Sequence, residues 1–420
     1  MYQAPRGTQD VLPEDEKYWR YVENTASRLA EQFGYGQIRT PTFEETGLFV
    51  RGVGESTDIV SKEMYTFEDK GGDSLTLRPE ATAPILRAYL EHGFASRPQP
   101  VKLYYLGSMF RYDRPQAGRY REFHQFDIEV LGEADATVDA EVILVAWRFF
   151  EALGLRDLTV QLNSIGDRNC RPAYLEALKA HFDQRKEQLC PDCQRRLDTN
   201  PLRLLDCKND QCQAGIEAAP RSRDYLCEDC RAHFEALQEM LSALDLPVVL
   251  NSRLVRGLDY YTRTVFEIFP PSVGAQSALG GGGRYDGLME QLGGKPTPGI
   301  GFAVGIERII LNLKEQGIEV PATGKPLVFV AHMGNAARAA ALKLADEVRR
   351  QGVPSTVGLG AKSLKSQLKQ ANNLGARFAF ILGEDEIANG TVTIRDLEES
   401  QQWQEPRQAA IGRVLPAGGR

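Results

Sequence analysis

Two strand-length runs joined by an arginine-rich loop constrain the fold of this chain most. They lie in the stretch 102–132, which reads KLYYLGSMFRYDRPQAGRYREFHQFDIEVLG. We predict a first strand over 102–112 and a second over about 122–131. Because only a short loop joins them, the two strands are expected to pair antiparallel, as a hairpin.

Alternation along the second strand sorts its side chains onto two faces, because successive residues of a strand point to opposite sides. One face is apolar apart from its first member and holds His124, Phe126, Ile128 and Val130. The opposite face is polar and holds Gln125, Asp127 and Glu129. The pattern predicts a polar floor with an amide and two carboxylates, backed by an apolar layer.

Arginines crowd the connection between these strands, with Arg111, Arg114, Arg119 and Arg121 falling within eleven positions. Guanidinium groups held beside carboxylates on a sheet suit an anionic substrate bound next to a polar or cationic one. The alternative is a surface hairpin with solvated charges. The regular alternation of apolar and charged positions favours a binding site.

Three segments give the chain a resemblance to a known family. They are FRYDRPQAGRYREFHQFDIEVLG at 110–132, LVRGLDYYTRTVFE at 254–267 and GFAVGIERI at 301–309. The first resembles motif 2 of the class II aminoacyl-tRNA synthetases in its histidyl form, the last resembles motif 3, and the order of all three agrees. The resemblance extends over nearly the whole chain.

The resemblance implies an α/β protein of two domains. We expect an α+β catalytic domain on an antiparallel sheet at 1–322, with a helical, cysteine-containing insertion at 168–246. A β-α-β-α-β pattern at 323–420 predicts a small mixed or parallel sheet covered by helices, which the resemblance makes an anticodon-binding domain. The segment GQIRTPTFEE at 36–45 resembles motif 1, which in that family lies at a dimer interface, so a homodimer is expected.

The activity implied is ATP-dependent formation of histidyl-adenylate, followed by transfer of histidine to the 3′ end of histidine tRNA. L-Histidine, ATP with Mg²⁺ and tRNA(His) are therefore the expected ligands. The resemblance assigns the histidine-binding residues as Glu80, Thr82, Gln125, Glu129, Tyr260 and Tyr261. Glu80 near a helix start would also be favoured by the helix macrodipole alone.

The reaction brings a carboxylate to the α-phosphate, and fixed cations stabilise the charge that develops there. The resemblance gives Arg111, Arg256 and Arg308 catalytic roles, and ATP binding to these three and Arg119. Arg308 stands at the start of a predicted helix, where a cation opposes the macrodipole and needs an anion. The glycine run at 280–283 predicts close backbone approach to a ligand or a neighbouring strand.

The cysteines raise a separate hypothesis. Cys190-x-x-Cys193 and Cys227-x-x-Cys230 have the spacing of metal ligands, and two such pairs can form a tetrahedral Zn²⁺ site if the fold brings them together. The alternative is reduced cysteines packed in a helical insertion. An odd count of seven cysteines in a chain of 420 residues is typical of reduced cytoplasmic thiols.

Composition limits the partners. No apolar run is long enough to span a membrane, and no signal peptide is indicated at the start. The net charge is −7, but thirteen Lys and Arg against nine Asp and Glu over 323–420 give +4 there. Lys362, Lys365 and Lys369 share the spacing of one helix face and are candidates for contacts with tRNA phosphates, although a solvated face has the same pattern.

Two other functions stay open at this point. A histidine-sensing regulatory subunit of ATP phosphoribosyltransferase shares the catalytic fold, but it generally lacks the C-terminal domain and some of the arginines. A zinc-dependent nucleic-acid-binding module would rest on the cysteines and the lysines alone. The presence of Arg111, Arg256, Arg308 and a C-terminal domain favours the enzyme.

Overall fold

The structure, a computed structural model, describes residues 2–54, 57–270, 278–321 and 326–415. The chain divides into two compact units, Met1–Val320 and Pro321–Arg420. The predicted domain boundary between 322 and 323 falls in 322–325, outside the described residues. Across the described ranges, every helix is too short or too polar to cross a membrane.

The helices and strands are labelled in chain order. The α-helices are α1 (Glu16–Gln32), α2 (Thr46–Val53), α3 (Thr82–Glu91), α4 (Ala136–Ala152), α5 (Arg171–Asp183), α6 (Pro191–Thr199), α7 (Asp210–Glu217), α8 (Glu228–Ala243), α9 (Leu288–Gln291), α10 (Ile306–Glu315), α11 (Ala336–Arg350), α12 (Leu364–Asn373), α13 (Glu384–Asn389) and α14 (Arg407–Arg413). The strands are β1 (Gly36–Gln37), β2 (Phe43–Glu45), β3 (Tyr65–Glu68), β4 (Ser74–Leu77), β5 (Val101–Phe110), β6 (Glu122–Leu131), β7 (Thr159–Ser164), β8 (Val248–Leu250), β9 (Thr262–Phe269), β10 (Gly280–Arg284), β11 (Gly299–Gly305), β12 (Val328–His332), β13 (Ser355–Val357), β14 (Phe378–Leu382), β15 (Thr391–Asp396) and β16 (Gln402–Pro406).

An eight-stranded sheet lies at the centre of the first unit, in the order β1-β5-β6-β11-β10-β9-β7-β8. Neighbours from β5 to β7 are antiparallel, whereas β1 and β8 at the edges pair in parallel. The predicted hairpin is confirmed, since β5 pairs with β6 from Val101↔Leu131 to Phe110↔Glu122. The first strand ends before the predicted limit at 112, so Arg111 lies just beyond its end.

The predicted apolar face of β6 is confirmed as the main core of this unit. Phe126, Ile128 and Val130 are fully buried and pack with side chains of α1, α4 and α10. The Phe149 ring of α4 lies 4.9 Å from the Phe126 ring, and truncating such a buried ring to alanine costs about 3–5 kcal/mol. This layer holds the opposite, polar face of β6 in place.

The insertion at 168–246 folds as the helices α5–α8, which lie between β7 and β8 in the chain. Apolar side chains of α5 and α6, including Tyr174, Leu178 and Leu197, join one core with Tyr260 and Tyr261. The insertion therefore packs behind the segment that precedes β9. That segment is a loop over 251–261, and β9 begins after it at Thr262.

The second unit contains a five-stranded sheet in the order β13-β12-β14-β15-β16. The first three strands are parallel and the last two are antiparallel additions, which confirms a mixed sheet. Helix α12 begins at Leu364, with the Ser363 hydroxyl capping it by accepting from the Ser366 amide at 3.3 Å. Lys362 therefore precedes the helix, and the prediction that it shares a helix face with Lys365 and Lys369 is wrong.

Candidate active site

The polar face of β6 forms the floor of the site. Gln125, Asp127 and Glu129 lie opposite Gly305, Ala303 and Gly301 of β11. A Cβ atom at Gly301 would overlap the Glu129 carboxylate, so glycine is required there. Small residues on the neighbouring strand thus leave the space that the long polar side chains of β6 fill.

Glu129 is buried and holds two hydroxyl groups. Its Oε1 accepts a 2.6 Å hydrogen bond from Thr82 Oγ1, and its Oε2 accepts one from the Tyr285 hydroxyl. Burial raises the pKa of Glu129 to about 8, although both hydrogen bonds oppose that rise. The carboxyl is therefore poised to exchange a proton near neutral pH.

Glu80 stands at the start of α3, as predicted. Its carboxylate accepts hydrogen bonds from the backbone amides of Thr82 at 2.9 Å and Ala83 at 2.8 Å. Burial raises its pKa, while these bonds and the nearby Arg111 lower it. Glu80 is thus both a helix cap and a buried carboxylate that faces the site.

Asp127 lies between Gln125 and Glu129 along β6. It is 3% exposed, and its Oδ2 has no hydrogen-bond partner among the described residues. Burial raises its pKa well above the ordinary value, and repulsion by Glu129 and Glu80 raises it further. We refer to Glu80, Asp127 and Glu129 as the carboxylate end of the site.

Gln125 completes the floor. Its side-chain oxygen is buried and has no hydrogen-bond partner within the described ranges. Leaving a buried amide oxygen unpaired costs about 1–3 kcal/mol. An incoming donor would remove that cost, which fits a role in binding a ligand.

Three tyrosines enclose the carboxylate end. The rings of Tyr260 and Tyr261 lie 4.8 Å apart, and Tyr285 meets Tyr260 at 5.7 Å. Burial raises the pKa of all three hydroxyls, so they act as neutral donors. Sequence reasoning included Tyr260 and Tyr261 but missed Tyr285 and gave Asp127 no separate role. The alternation of β6 was a signal for Asp127, whereas the contact of Tyr285 with Glu129 joins residues 156 positions apart.

Arg111 connects the carboxylate end to the cationic part of the site. Its Nε donates to the Pro79 carbonyl at 2.8 Å, and its guanidinium lies over the Phe123 ring at 5.3 Å. Burial lowers its pKa, and Glu63 and Glu80 raise it in part. The backbone of the segment before α3 therefore fixes the direction of this cation.

Arg256 lies in the loop before β9 and pairs with Glu267 of that strand. Burial lowers its pKa, but Glu267 and Tyr261 outweigh burial and leave it raised, so the group stays charged. A Cβ atom at Gly281 would come within 2.9 Å of Arg256 Nη1 and 2.8 Å of Glu267 Cγ. The loop holds Arg256 beside Tyr261, with the guanidinium 5.7 Å from the centre of the Tyr261 ring.

Arg308, the third residue of α10, is held by two carbonyls. Its Nε donates to Gly118 at 3.2 Å and its Nη1 to Ala278 at 3.0 Å. Burial lowers its pKa, and repulsion from Arg119, Arg111 and Arg256 lowers it further. Arg119 pairs with Asp113 at 3.2 Å. We refer to Arg111, Arg119, Arg256 and Arg308 as the arginine end.

The glycine run forms β10 and packs tightly on both sides. Cβ atoms at Gly280 and Gly282 would strike the backbone of β11, and those at Gly281 and Gly283 would strike Arg256 and Tyr261. The predicted close approach to a neighbouring strand is confirmed. The run also makes room for site side chains.

The predicted zinc set is wrong, because the structure does not bring Cys190 and Cys193 together with Cys227 and Cys230. The cysteines form two groups instead. One consists of Cys190, Cys193, Cys207 and Cys212, and the other of Asp167, Cys170, Cys227 and Cys230. Which cysteines come together depends on which helix N-termini pack against each other. The Cys-x-x-Cys spacing alone does not indicate that packing.

The candidate tRNA contacts lie in the second unit. Lys362, Lys365 and Lys369 are exposed, while Leu364, Leu368 and Ala371 pack against the core. Lys365 and Lys369 lie on α12, whereas Lys362 lies outside it.

Comparisons with known proteins place this chain among synthetases. Residues 7–309 match the family model "Histidyl-tRNA synthetase", and residues 327–415 match "Anticodon binding domain". Histidine–tRNA ligase of Dehalococcoides mccartyi is 62% identical over 402 residues, 96% of each chain, and that of Desulforamulus reducens is 50% identical over 398 residues, 95% of each.

Solved structures agree. Apo histidyl-tRNA synthetase of S. aureus has a TM-score of 0.84 and 40% identity, covering 99% of this chain and 100% of that one. A Bacillus halodurans structure titled as an ATP phosphoribosyltransferase regulatory subunit/histidyl-tRNA synthetase has a TM-score of 0.66 at 24% identity over 91% of this chain and 98% of that one, a likeness of fold alone. The length and identity of these matches show that this chain belongs to the histidyl-tRNA synthetase family.

Proposed function

We propose that this protein is a histidine–tRNA ligase that makes histidyl-adenylate in the site described and transfers histidine to tRNA(His). A histidine carboxylate oxygen attacks the α-phosphorus of ATP, and the bond to diphosphate breaks. The 3′-terminal ribose of the tRNA then attacks the acyl carbon, and AMP leaves. The observation that carries the proposal is the buried carboxylate end directly beside the arginine end, in which the other three arginines repel Arg308.

The carboxylate end suits the cationic and polar parts of histidine. We assign Glu80, Thr82 and Gln125 to the α-ammonium group. The carboxylate of Glu80, the hydroxyl of Thr82 and the amide oxygen of Gln125 can each accept a hydrogen bond from it. We assign Glu129, Tyr260 and Tyr261 to the imidazole, a ring with one donor and one acceptor nitrogen. Tyr285 and Thr82 orient the Glu129 carboxylate for that contact.

The arginine end suits ATP. We assign Arg111 and Arg256 to the junction between the two ends, where the reacting carboxylate and α-phosphate must meet, because Arg111 interacts with Glu80 and Arg256 lies beside Tyr261. We assign Arg308 and Arg119 to the remaining phosphates and the nucleotide. Preorganised cations of this kind stabilise charge that develops on phosphoryl oxygens without reorganising during the reaction.

Mg²⁺ would enter with ATP as part of the substrate. Oxygen is its preferred ligand, and it usually keeps several waters while bridging substrate phosphates. Glu267, which pairs with Arg256, is a carboxylate at this end and fits such a contact. Bound Mg²⁺ would neutralise phosphate charge; the protein residues named above bind and align the two substrates.

The assembly and location follow from the same assignment. An exposed aromatic pair supports a homodimer. Phe43, within the segment resembling motif 1, and Phe67 lie on the small sheet β2-β4-β3 with their rings 6.3 Å apart. A cytoplasmic location is supported by the seven cysteines, which form no disulfide in the described residues. Sedimentation of the purified protein tests the dimer.

ATP–diphosphate exchange with each of the twenty amino acids tests the activation step. Histidine should support exchange, and glutamine or asparagine should be rejected by about 10⁴-fold, the scale for a site that pairs with a polar side chain. Equal exchange with glutamine would remove Glu129 and Tyr261 from imidazole recognition. Histidine binding with no exchange at all would instead favour a regulatory subunit.

A salt titration tests the tRNA contacts. Replacing Lys362, Lys365 and Lys369 by glutamine should make the plot of log K for tRNA binding against log salt concentration less steep. Its slope should decrease in magnitude by about 0.7–0.9 for each phosphate that a lysine no longer neutralises. Replacing the exposed Arg338, Lys343 and Arg350 of α11 removes the same charge from the same unit and serves as the control. Equal slopes for the two triple variants would mean that the three lysines are a solvated surface.

A further inference from the structure

Four cysteine sulfurs meet in the core of the insertion, away from the carboxylate and arginine ends. Cys190, Cys193, Cys207 and Cys212 are all buried, and their Sγ atoms lie within 4.8 Å of one another. The Cys190 and Cys207 sulfurs are 3.8 Å apart. Four thiolates bound tetrahedrally to one Zn²⁺ at about 2.3 Å have sulfurs about 3.8 Å apart, so the group already has the size of a Zn²⁺ site.

The surrounding backbone stabilises negative charge on these sulfurs. Cys190 precedes the first residue of α6 and Cys193 lies in its first turn, while Cys212 lies in the first turn of α7. Two helix N-termini, each carrying partial positive charge, therefore point at one cluster. The Cys190 amide donates to Cys212 Sγ at 3.3 Å, and the Asn209 amide donates to Cys207 Sγ at 3.4 Å.

A disulfide and simple apolar packing both account for the cluster less well than a metal ion does. A disulfide would need sulfurs about 2.05 Å apart, and all four cysteines are free. Apolar packing would not require backbone amides to point at two of the sulfurs. It would also not require Cys212, on the separate helix α7, to join the other three cysteines. The compact spacing fits one ion rather than a polynuclear cluster.

We propose that Cys190, Cys193, Cys207 and Cys212 bind one Zn²⁺ as a closed structural site. All four ligands come from the protein and are buried, so the ion has no open position for catalysis. It would connect α6, the 200–209 connector and α7. These helices have nine and eight residues, and helices that short are marginal without tertiary support.

The site would also support the histidine pocket, an effect that rests on the function proposed above. The connector leading to Cys207 contacts the loop that carries Arg256 and Tyr261: Asn200 Nδ2 donates to Asp259 Oδ1 at 2.7 Å. Leu204 and Leu205 of the connector share a core with Tyr260 and Tyr261. Loss of the ion should therefore loosen the loop and raise the KM for histidine more than it lowers kcat.

Metal analysis of the full-length protein tests the site. We expect the Cys207→Ser, Cys212→Ser double variant to contain about one Zn²⁺ per chain less than wild type. Leu197→Ala, which empties space in the same core without removing a ligand, should keep its full metal content. Co²⁺ bound in place of Zn²⁺ should give a thiolate charge-transfer spectrum that the double variant lacks. Equal zinc content in wild type and double variant would overturn the proposal.

A measurement on unmodified protein keeps the test decisive if the double variant does not fold. Wild-type protein is alkylated with iodoacetamide before and after treatment with a strong chelator, and the labelled cysteines are mapped. Cys190, Cys193, Cys207 and Cys212 should be protected before chelation and labelled together as zinc leaves. Labelling of these four that does not depend on chelation would contradict the site, whatever the protein's activity with histidine.

Discussion

The two ends of the site respond to burial in opposite ways. At the carboxylate end, burial raises the pKa values of Glu80, Asp127 and Glu129, so these groups tend to take up protons. At the arginine end, burial lowers the pKa values of Arg111 and Arg308, and repulsion from the other arginines lowers that of Arg308 further. Arginine still stays protonated because its ordinary pKa exceeds about 12.

The difference indicates how each end recognises its ligand. The carboxylate end works through hydrogen bonds whose donors and acceptors depend on shared protons, which suits a titratable ring such as imidazole. The arginine end offers fixed positive charge whatever the pH, which suits phosphate. Three experiments bear on this contrast, and each should affect one end more than the other.

The largest effect is expected at the arginine end. Arg256→Ala should lower the rate of adenylate formation by about 10²–10³, the scale for losing one preorganised charge partner, with a smaller effect on histidine binding. Arg256→Lys should rescue it in part, since a point charge cannot reproduce a guanidinium fork. Rapid-quench measurement of the first turnover reports the rate.

Arg253→Ala is the matched control for that experiment. Arg253 lies three residues earlier in the same loop and donates to Gln213 Oε1 at 2.7 Å rather than to the site. It should leave the first-turnover rate near that of wild type. If both variants lost the same rate, the loop as a whole would matter and Arg256 would have no special role.

A smaller effect is expected from Tyr285→Phe at the carboxylate end. The change removes the hydroxyl that donates to Glu129 Oε2, and a hydrogen bond to a charged group contributes about 1.5–3 kcal/mol. We expect kcat/KM for histidine to fall by about 10–100-fold, with the KM for ATP nearly unchanged. Since the bond lowers the pKa of Glu129, its loss should shift the corresponding midpoint in the pH profile upward.

Tyr174→Phe controls for the loss of a buried hydroxyl. The Tyr174 hydroxyl is buried in the same core as Tyr285 and has no hydrogen-bond partner among the described residues. Its removal should leave both kcat/KM and the midpoint in place. A Tyr285→Phe profile that matched this control would mean that Tyr285 does not orient Glu129.

Local patterns were sufficient to predict much of this site. Alternation placed Gln125 and Glu129 on one face of β6, and a Pro-Glu pair before a helical run placed Glu80 at the start of α3. Tyr285 could not be found in this way, because its contact with Glu129 spans 156 positions and depends on which strands are neighbours. The cysteine groups likewise depend on how four helix starts pack. The error at Lys362 had a local signal, since Ser363 is a favoured helix cap.

A separate effect is expected on the pH dependence of stability, through Glu129→Gln. The pKa of Glu129 is about 8 in the folded protein, against about 4.3 for glutamate in an unfolded chain. Between these values the folded state holds the extra proton, so wild-type stability from this group is full below about pH 4 and falls as pH rises to about 8. Glutamine does not titrate. The free energy of unfolding of the Glu129→Gln variant, relative to that of wild type, should therefore rise between about pH 4 and pH 8 and stay constant above pH 8.

Chemical denaturation of both proteins from pH 5 to pH 9 measures that difference. Lys102 pairs with Glu141 at 2.6 Å on a more accessible part of the same unit, so Glu141→Gln is the matched control for replacing a carboxylate by an amide. Its difference from wild type should not grow with pH over this range. A flat difference for Glu129→Gln as well would mean that Glu129 is ionised throughout, and that both ends of the site then recognise their ligands by fixed charge.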